Sequence, residues 1–184
     1  MKSSLTNMML SLGGITILAG AILAGVNLLT EEPIAQAKAE TLRSALQEVL
    51  PPFDNDISPD TLPSGLVRYD ATLAGFASGT AVESFSDNGF GGRISVLFGF
   101  DRNGCVTGYR MLSHAETPGL GAKADTWFSA PGSTHNIICS SAPQRVRADG
   151  GDIDAITGAT ITSRAFLEAL NSARTALVSP KTED

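Results

Sequence analysis

From Ser3 to Thr30 the chain carries no charged residue at all. Within that stretch, Met8 to Leu29 reads MMLSLGGITILAGAILAGVNLL, twenty-two positions whose only polar members are Ser11, Thr16 and Asn27. About 20 apolar residues wound as a helix cross the hydrocarbon core of a bilayer, because each adds about 1.5 Å and every backbone polar group is satisfied inside the segment. A cleaved signal peptide has a shorter apolar region, about 7 to 15 residues, ending at a small-residue site. The one such pattern, Ala35 and Ala37, lies beyond Glu31-Glu32-Pro33. An uncleaved anchor is therefore the better reading. Lys2 precedes the span while Glu31 and Glu32 follow it, so the positive-inside tendency puts the N-terminus in the cytoplasm and the body of the protein outside. Gly20 with Ala24 and Ala21 with Gly25 are spaced for close approach of another membrane helix, although Gly and Ala are common in such helices anyway.

All nineteen acidic residues come after the span, against twelve basic ones once Lys2 is set aside, so the rest of the 184-residue chain carries a net charge of −7. That surface repels a phosphate backbone, and no run of Lys and Arg with interleaved aromatics relieves it, so no nucleic acid partner is expected. Cys105 and Cys139 are too far apart for a CxxC pair and lack the His spacing of a zinc site, so no metal is expected. In an exported domain they are candidates for a disulfide, but spacing alone leaves two separate thiols equally open.

The periodicity divides the chain at residues 1–30, 31–65 and 66–184: a cytoplasmic end with the membrane helix, a helix with a Pro-rich connector, and an extracytoplasmic folded domain. Ile34, Leu42, Ala45, Leu46, Val49 and Leu50 fall at helical spacings behind Thr30 as a candidate cap. Pro51 and Pro52 stop that helix, and the stretch to Gly65 reads as a connector with no core of its own. Ile94, Val96, Phe98 and Phe100 then alternate as in a strand, Asp101 to Gly104 are turn formers, and Cys105 to Ser113 reads as the returning strand. A last helix, about Thr162 to Val178, aligns Phe166, Leu170, Ala173 and Leu177 in one apolar stripe. The expected class is α+β, an antiparallel sheet with flanking helices behind one membrane helix.

Three segments carry candidate chemistry. Asp154-Ala155-Ile156-Thr157-Gly158-Ala159-Thr160-Ile161-Thr162-Ser163 places four hydroxyl residues and two small ones at a helix start, where open amides and a partial positive charge favour phosphate. Taken alone it reads first as an ordinary capped helix start, since Thr and Ser are preferred there anyway. Glu116-Thr117-Pro118-Gly119-Leu120-Gly121 is a turn able to lay backbone amides against a flat ring, or simply a connection. Asn88-Gly89-Phe90-Gly91-Gly92 offers Phe90 as a stacking face, or is merely a flexible loop.

In this order, behind one N-terminal span, ETPGLG followed by D-x-x-T-G-A-T-x-T-S resembles the G subunit of the Rnf electron-transport complex over nearly the whole chain. The resemblance implies FMN held covalently by a phosphoester to Thr160, within Asp154, Thr157, Gly158, Ala159, Thr162 and Ser163. It implies that Glu116, Thr117, Gly119, Leu120 and Gly121 line the flavin, and that Phe90 stands where the family often has tyrosine. Thr157 replaces a commoner serine. A separate flavin transferase would install the cofactor from FAD on the exported domain, and the partners would be the other subunits of an Rnf-type ferredoxin:NAD oxidoreductase coupled to ion transport, in a bacterial cytoplasmic membrane.

On this reading the flavin does the electron chemistry and the chain orients and tunes it, so no catalytic residue is expected and the subunit alone shows no turnover with NAD. His114 and His135 are structural or surface residues, Lys123 and Arg164 solvated charges, and Trp127 and Phe128 core. The related C subunit of the sodium-pumping NADH-quinone reductase shares the motifs but is usually longer. An anchored scaffold without flavin is the alternative from a different class.

Overall fold

The computed structural model describes residues 5–178, so Lys2, on which the orientation argument leans, lies outside the described residues. The first element, α1, runs without interruption from Leu5 to Val49 and passes straight through Pro33. The separate helix expected behind Thr30 is instead the continuation of α1. Pro33 forgoes its own amide bond, but Ala35, Ala37, Lys38, Ala39 and Glu40 behind it are strong helix formers that carry the helix onward. Nor does Thr30 cap anything: its hydroxyl donates to the Val26 carbonyl one turn back, 2.9 Å away. From Met8 to Leu29 every large apolar side chain is exposed, and α1 is long and apolar enough to cross a membrane.

The chain divides into two compact units at Thr41 and Leu42. The second is built on a five-stranded antiparallel sheet whose strands lie in chain order, β1 (Pro59–Thr61), β2 (Val67–Leu73), β3 (Phe76–Gly89), β4 (Gly92–Asp101) and β5 (Val106–Ser113). The β4–β5 turn forms where Asp101 to Gly104 suggested. Asp101 Oδ1 accepts the Asn103 and Cys105 amides at 2.8 and 2.9 Å, and Gly104 takes the left-handed conformation, φ +75°. The Pro-rich stretch is more than a connector, since β1 is an edge strand paired with β2 and Leu62 behind it is buried.

Alternation in β4 sends Ile94, Val96, Phe98 and Phe100 to one face of the sheet, where α3 (Thr160–Leu177) covers them. The α3 stripe forms as its spacing suggests, with Phe166, Leu170 and Ala173 fully buried and Leu177 packed at the edge. The Phe166 ring stacks on Phe128 at 4.3 Å and meets Tyr109 and Phe98 edge-on at 4.8 and 5.4 Å. Leu97 points the other way, into a cluster with Tyr69, Ala71, Ala81 and the last turns of α1, Ala45, Leu46 and Val49. A short helix, α2 (Ala124–Trp127), lies between β5 and α3 in the chain.

Candidate functional site

The turn that starts α3 leaves its first amides uncovered by any side chain. Gly158 sits at φ +77°, the Ala159 amide donates to the Ile156 carbonyl at 2.9 Å, and Ala159 at the N-cap position has no side chain to bond the first turn. A helix whose cap is alanine exposes the donors that Ser, Thr or Asp would otherwise occupy. Two of the neighbouring hydroxyls, Thr162 and Ser163, are committed elsewhere. Ser163, fully buried, accepts the Ile156 amide and donates to the Ala159 carbonyl, each at 3.0 Å, stapling the turn from beneath.

Thr162, also buried, donates to Glu116 Oε2 at 2.7 Å, while Glu116 Oε1 accepts the Gly91 amide at 3.1 Å. Only 5% exposed, Glu116 thus ties the β3–β4 turn, its own loop and the first turn of α3 to one carboxylate. Charge-assisted bonds of this kind are about twice as strong as neutral ones. The packing around it is close. A Cβ on Gly121 would lie 2.3 Å from Glu116 Oε2, and one on Gly91 would lie 2.1 Å from the Ala115 carbonyl, so both positions need glycine.

The loop itself is a turn from Thr117 to Leu120, closed by the Leu120 amide on the Thr117 carbonyl at 3.1 Å, with Gly119 at φ +76°. Pro118 second and glycine third is the arrangement a type II turn requires. It presents Leu120 across from Gly158, where a Cβ would stand 3.5 Å from the leucine methyl.

Between these three segments lies a cleft of about 360 Å³. Phe90, Glu116, Thr117, Leu120 and Gly121 line it from the loops, and Gly158, Ala159, Thr160 and Thr162 from the helix start. Phe90, at the tip of the β3–β4 turn, is largely exposed, and Thr160 is half-buried. Four of the singled-out residues do not line the cleft. Gly119 shapes the turn, Ser163 lies underneath, Thr157 is exposed outside, and Asp154 is engaged by Arg147 at 3.1 Å and by the Thr134 hydroxyl. Ile161 lines the cleft and was not singled out; the signal was an apolar residue off the α3 stripe.

Glu116 is, among the described residues, the one charged side chain lining this space. Arg164 is paired bidentately with Asp149 at 2.7 and 2.8 Å, which holds that carboxyl below its ordinary range, and neither Arg164 nor Lys123 reaches the cleft lining. His135 stacks on Trp127 at 4.0 Å, and His114 Nδ1 accepts the Glu116 amide at 3.3 Å. An anionic ligand here therefore meets helix amides rather than side-chain cations, and a flat apolar body meets Phe90, Leu120 and Ile161.

Comparison with known proteins agrees with this division. A model of the FMN-binding domain matches residues 89–175, which hold all three segments of the cleft, and a model of the RnfG N-terminal region matches residues 1–49, which hold α1. The G subunit of the ion-translocating oxidoreductase complex of Aliivibrio fischeri strain MJ11 is 37% identical over 85% of this chain and 82% of its own length. The chain belongs to the G subunits of ion-translocating oxidoreductase complexes. The corresponding protein of Photorhabdus laumondii is 37% identical over 87% of this chain and 83% of its own, and that of Shewanella piezotolerans 33% over 94% and 89%. Membership of this family accounts for both halves of the architecture, a single long apolar helix and an FMN-binding domain.

The residues present fit FMN. Its phosphate needs uncovered donors and close backbone approach, which the alanine-capped start of α3 and the side-chain-free Gly158 provide. Its ring needs apolar walls, provided by Phe90, Leu120 and Ile161.

Proposed function

We propose that this chain is a membrane-anchored electron carrier whose FMN is esterified through its phosphate to Thr160, and that it relays electrons among other subunits of an Rnf-type ferredoxin:NAD oxidoreductase coupled to ion transport. The observation that carries the reading is Thr160 itself: a half-buried hydroxyl at the first position of an alanine-capped helix, inside the cleft. Bound FMN supplies the electron chemistry.

The chain's own residues do the rest. The first amides of α3 take the phosphate charge, Glu116 fixes the loop and the helix start relative to each other, and Phe90 and Leu120 orient the ring and keep water from it. Thr117, Gly119 and Gly121 shape the wall, while Gly158 and Ala159 admit the phosphate. Thr162 and Ser163 hold the turn, and Asp154 is anchored beside it by Arg147 and Thr134. A covalent tether suits a carrier that is reduced and reoxidised repeatedly without releasing its cofactor.

Attachment from FAD by a flavin transferase places the domain on the outer side of a bacterial cytoplasmic membrane, with α1 as a single span and the N-terminus inside. The decisive experiment makes the full chain together with a flavin transferase. The flavin transferase joins the FMN half of FAD to the hydroxyl and releases AMP, so the wild type should be heavier by one FMN less one water and fluoresce on a denaturing gel. Thr160→Ala should lose both properties while Thr157→Ala retains them. A wild type free of flavin, or flavin on another residue, overturns the assignment.

A further inference from the structure

The two cysteines stand outside the cleft, yet the fold brings their segments together. The Cys139 amide donates to the Val106 carbonyl at 2.8 Å, and the Val106 amide donates to the Ser140 carbonyl at 3.1 Å. Cys105 is therefore one backbone step, about 3.8 Å, from the residue that pairs with Cys139. Arg174, buried on α3, grips both strands of chain. One guanidinium nitrogen donates to the Gly104 carbonyl at 3.3 Å, and the other to the Ser140 carbonyl and hydroxyl, each at 2.8 Å. A single cation thus fixes the residue before one cysteine and the residue after the other.

Cys139 also has an unusual backbone. It is the third residue of a turn closed by the Ser140 amide on the Ile137 carbonyl at 3.0 Å, and its φ is +62°. Among the described residues only Ala74 and Cys139 take positive φ without being glycine. A left-handed third position in a turn ordinarily selects glycine or asparagine, so a cysteine there costs conformational strain for no packing return, because its side chain is exposed. Cys105 is half-buried, Cys139 is exposed, and both are free cysteines.

We propose that Cys105 and Cys139 are a disulfide pair that closes the segment between them at its base. The bond forms by exchange with an oxidised disulfide donor. A cysteine thiolate displaces one donor sulfur to give a mixed disulfide, and the second thiolate then displaces the remaining donor sulfur. The Sγ–Sγ bond forms, the donor disulfide is reduced to two thiols, and the two cysteine protons pass to the donor or to solvent. The closed segment contains β5 and the Glu116–Gly121 loop, so the cross-link secures the cleft's loop wall at its root. The proposal rests on the reading above only for its compartment, an outer side where disulfides persist.

The test treats detergent-solubilised full chain with oxidised glutathione and then maps peptides by mass spectrometry. The expected product is one peptide pair joined through Cys105 and Cys139, two hydrogens lighter than the separate thiols. Its melting temperature should fall by about 10 °C on adding dithiothreitol. Cys139→Gly suits the left-handed position and stays folded; its melting temperature should not respond to the reductant. Separate glutathione adducts on each cysteine, or disulfides joining two chains, overturn the pairing. A sidedness reporter at the C-terminus is read independently: a cytoplasmic domain ends the export reading, while the peptide map alone judges the pair.

Discussion

The two faces of the sheet are covered by helices in opposite ways. On the α3 face, large side chains meet: Phe98, Phe100, Phe128 and Phe166 are all fully buried, and the helix is held off by rings. On the other face the last turns of α1 come down to backbone contact. A Cβ on Gly99 would lie 2.0 Å from the Val49 carbonyl, and that same carbonyl accepts the Thr107 hydroxyl. The ring-filled face stores its stability in apolar volume and can carry a cleft at its rim. The glycine face stores it in the close fit of backbone against backbone.

The comparison breaks most severely at Phe166. Phe166→Ala should cost about 3 to 5 kcal/mol through lost burial and the cavity left among three other rings, lowering the denaturant midpoint of the whole domain in equilibrium unfolding. Gly99→Ala should cost about 1 to 3 kcal/mol by overpacking, but locally. Hydrogen exchange should show protection lost across residues 42–50 and retained in α3. Equal loss in both helices would mean that the two faces are not independent.

A gentler probe uses the two tyrosines, one in each cluster. Burial pushes both phenols up to about 12, and on the glycine face the Glu83 carboxylate beside Tyr69 adds to the effect. A raised folded value means that each tyrosine contributes stability in full below about pH 10, the unfolded value, and loses it as pH climbs towards 12. Phenolate absorbance in the folded protein should therefore appear near pH 12. Glu83→Gln should bring Tyr69 down and leave Tyr109 where it is.

Much of this was legible in the residues. The β4 alternation, the Asp101 turn and the α3 stripe appear where their spacing puts them, because each depends on neighbours a few positions away. Where reading failed, the cause was local grammar overruled by its surroundings. Thr30 reads as the cap of a second helix, yet helix formers behind Pro33 carry α1 through as one element. The stretch after Pro52 reads as a connector with no core of its own, yet Pro59–Thr61 pairs with β2 as an edge strand. At the site, the motifs named nine residues that line the cleft but missed Ile161, whose place depends on how the loop folds over the helix start.

By itself the sequence determined an uncharged span long enough for a bilayer, the strand and helix periods, and a hydroxyl-rich helix start, since hydrophobic length, period and composition are properties of contiguous residues. Only the tertiary structure decided that one buried carboxylate would join three distant segments, that Val49 would sit against Gly99, and that Cys105 and Cys139 would share a hydrogen-bonded neighbour. Those relations connect residues 25 to 50 positions apart, and their geometry exists only once the sheet has paired and both faces are covered.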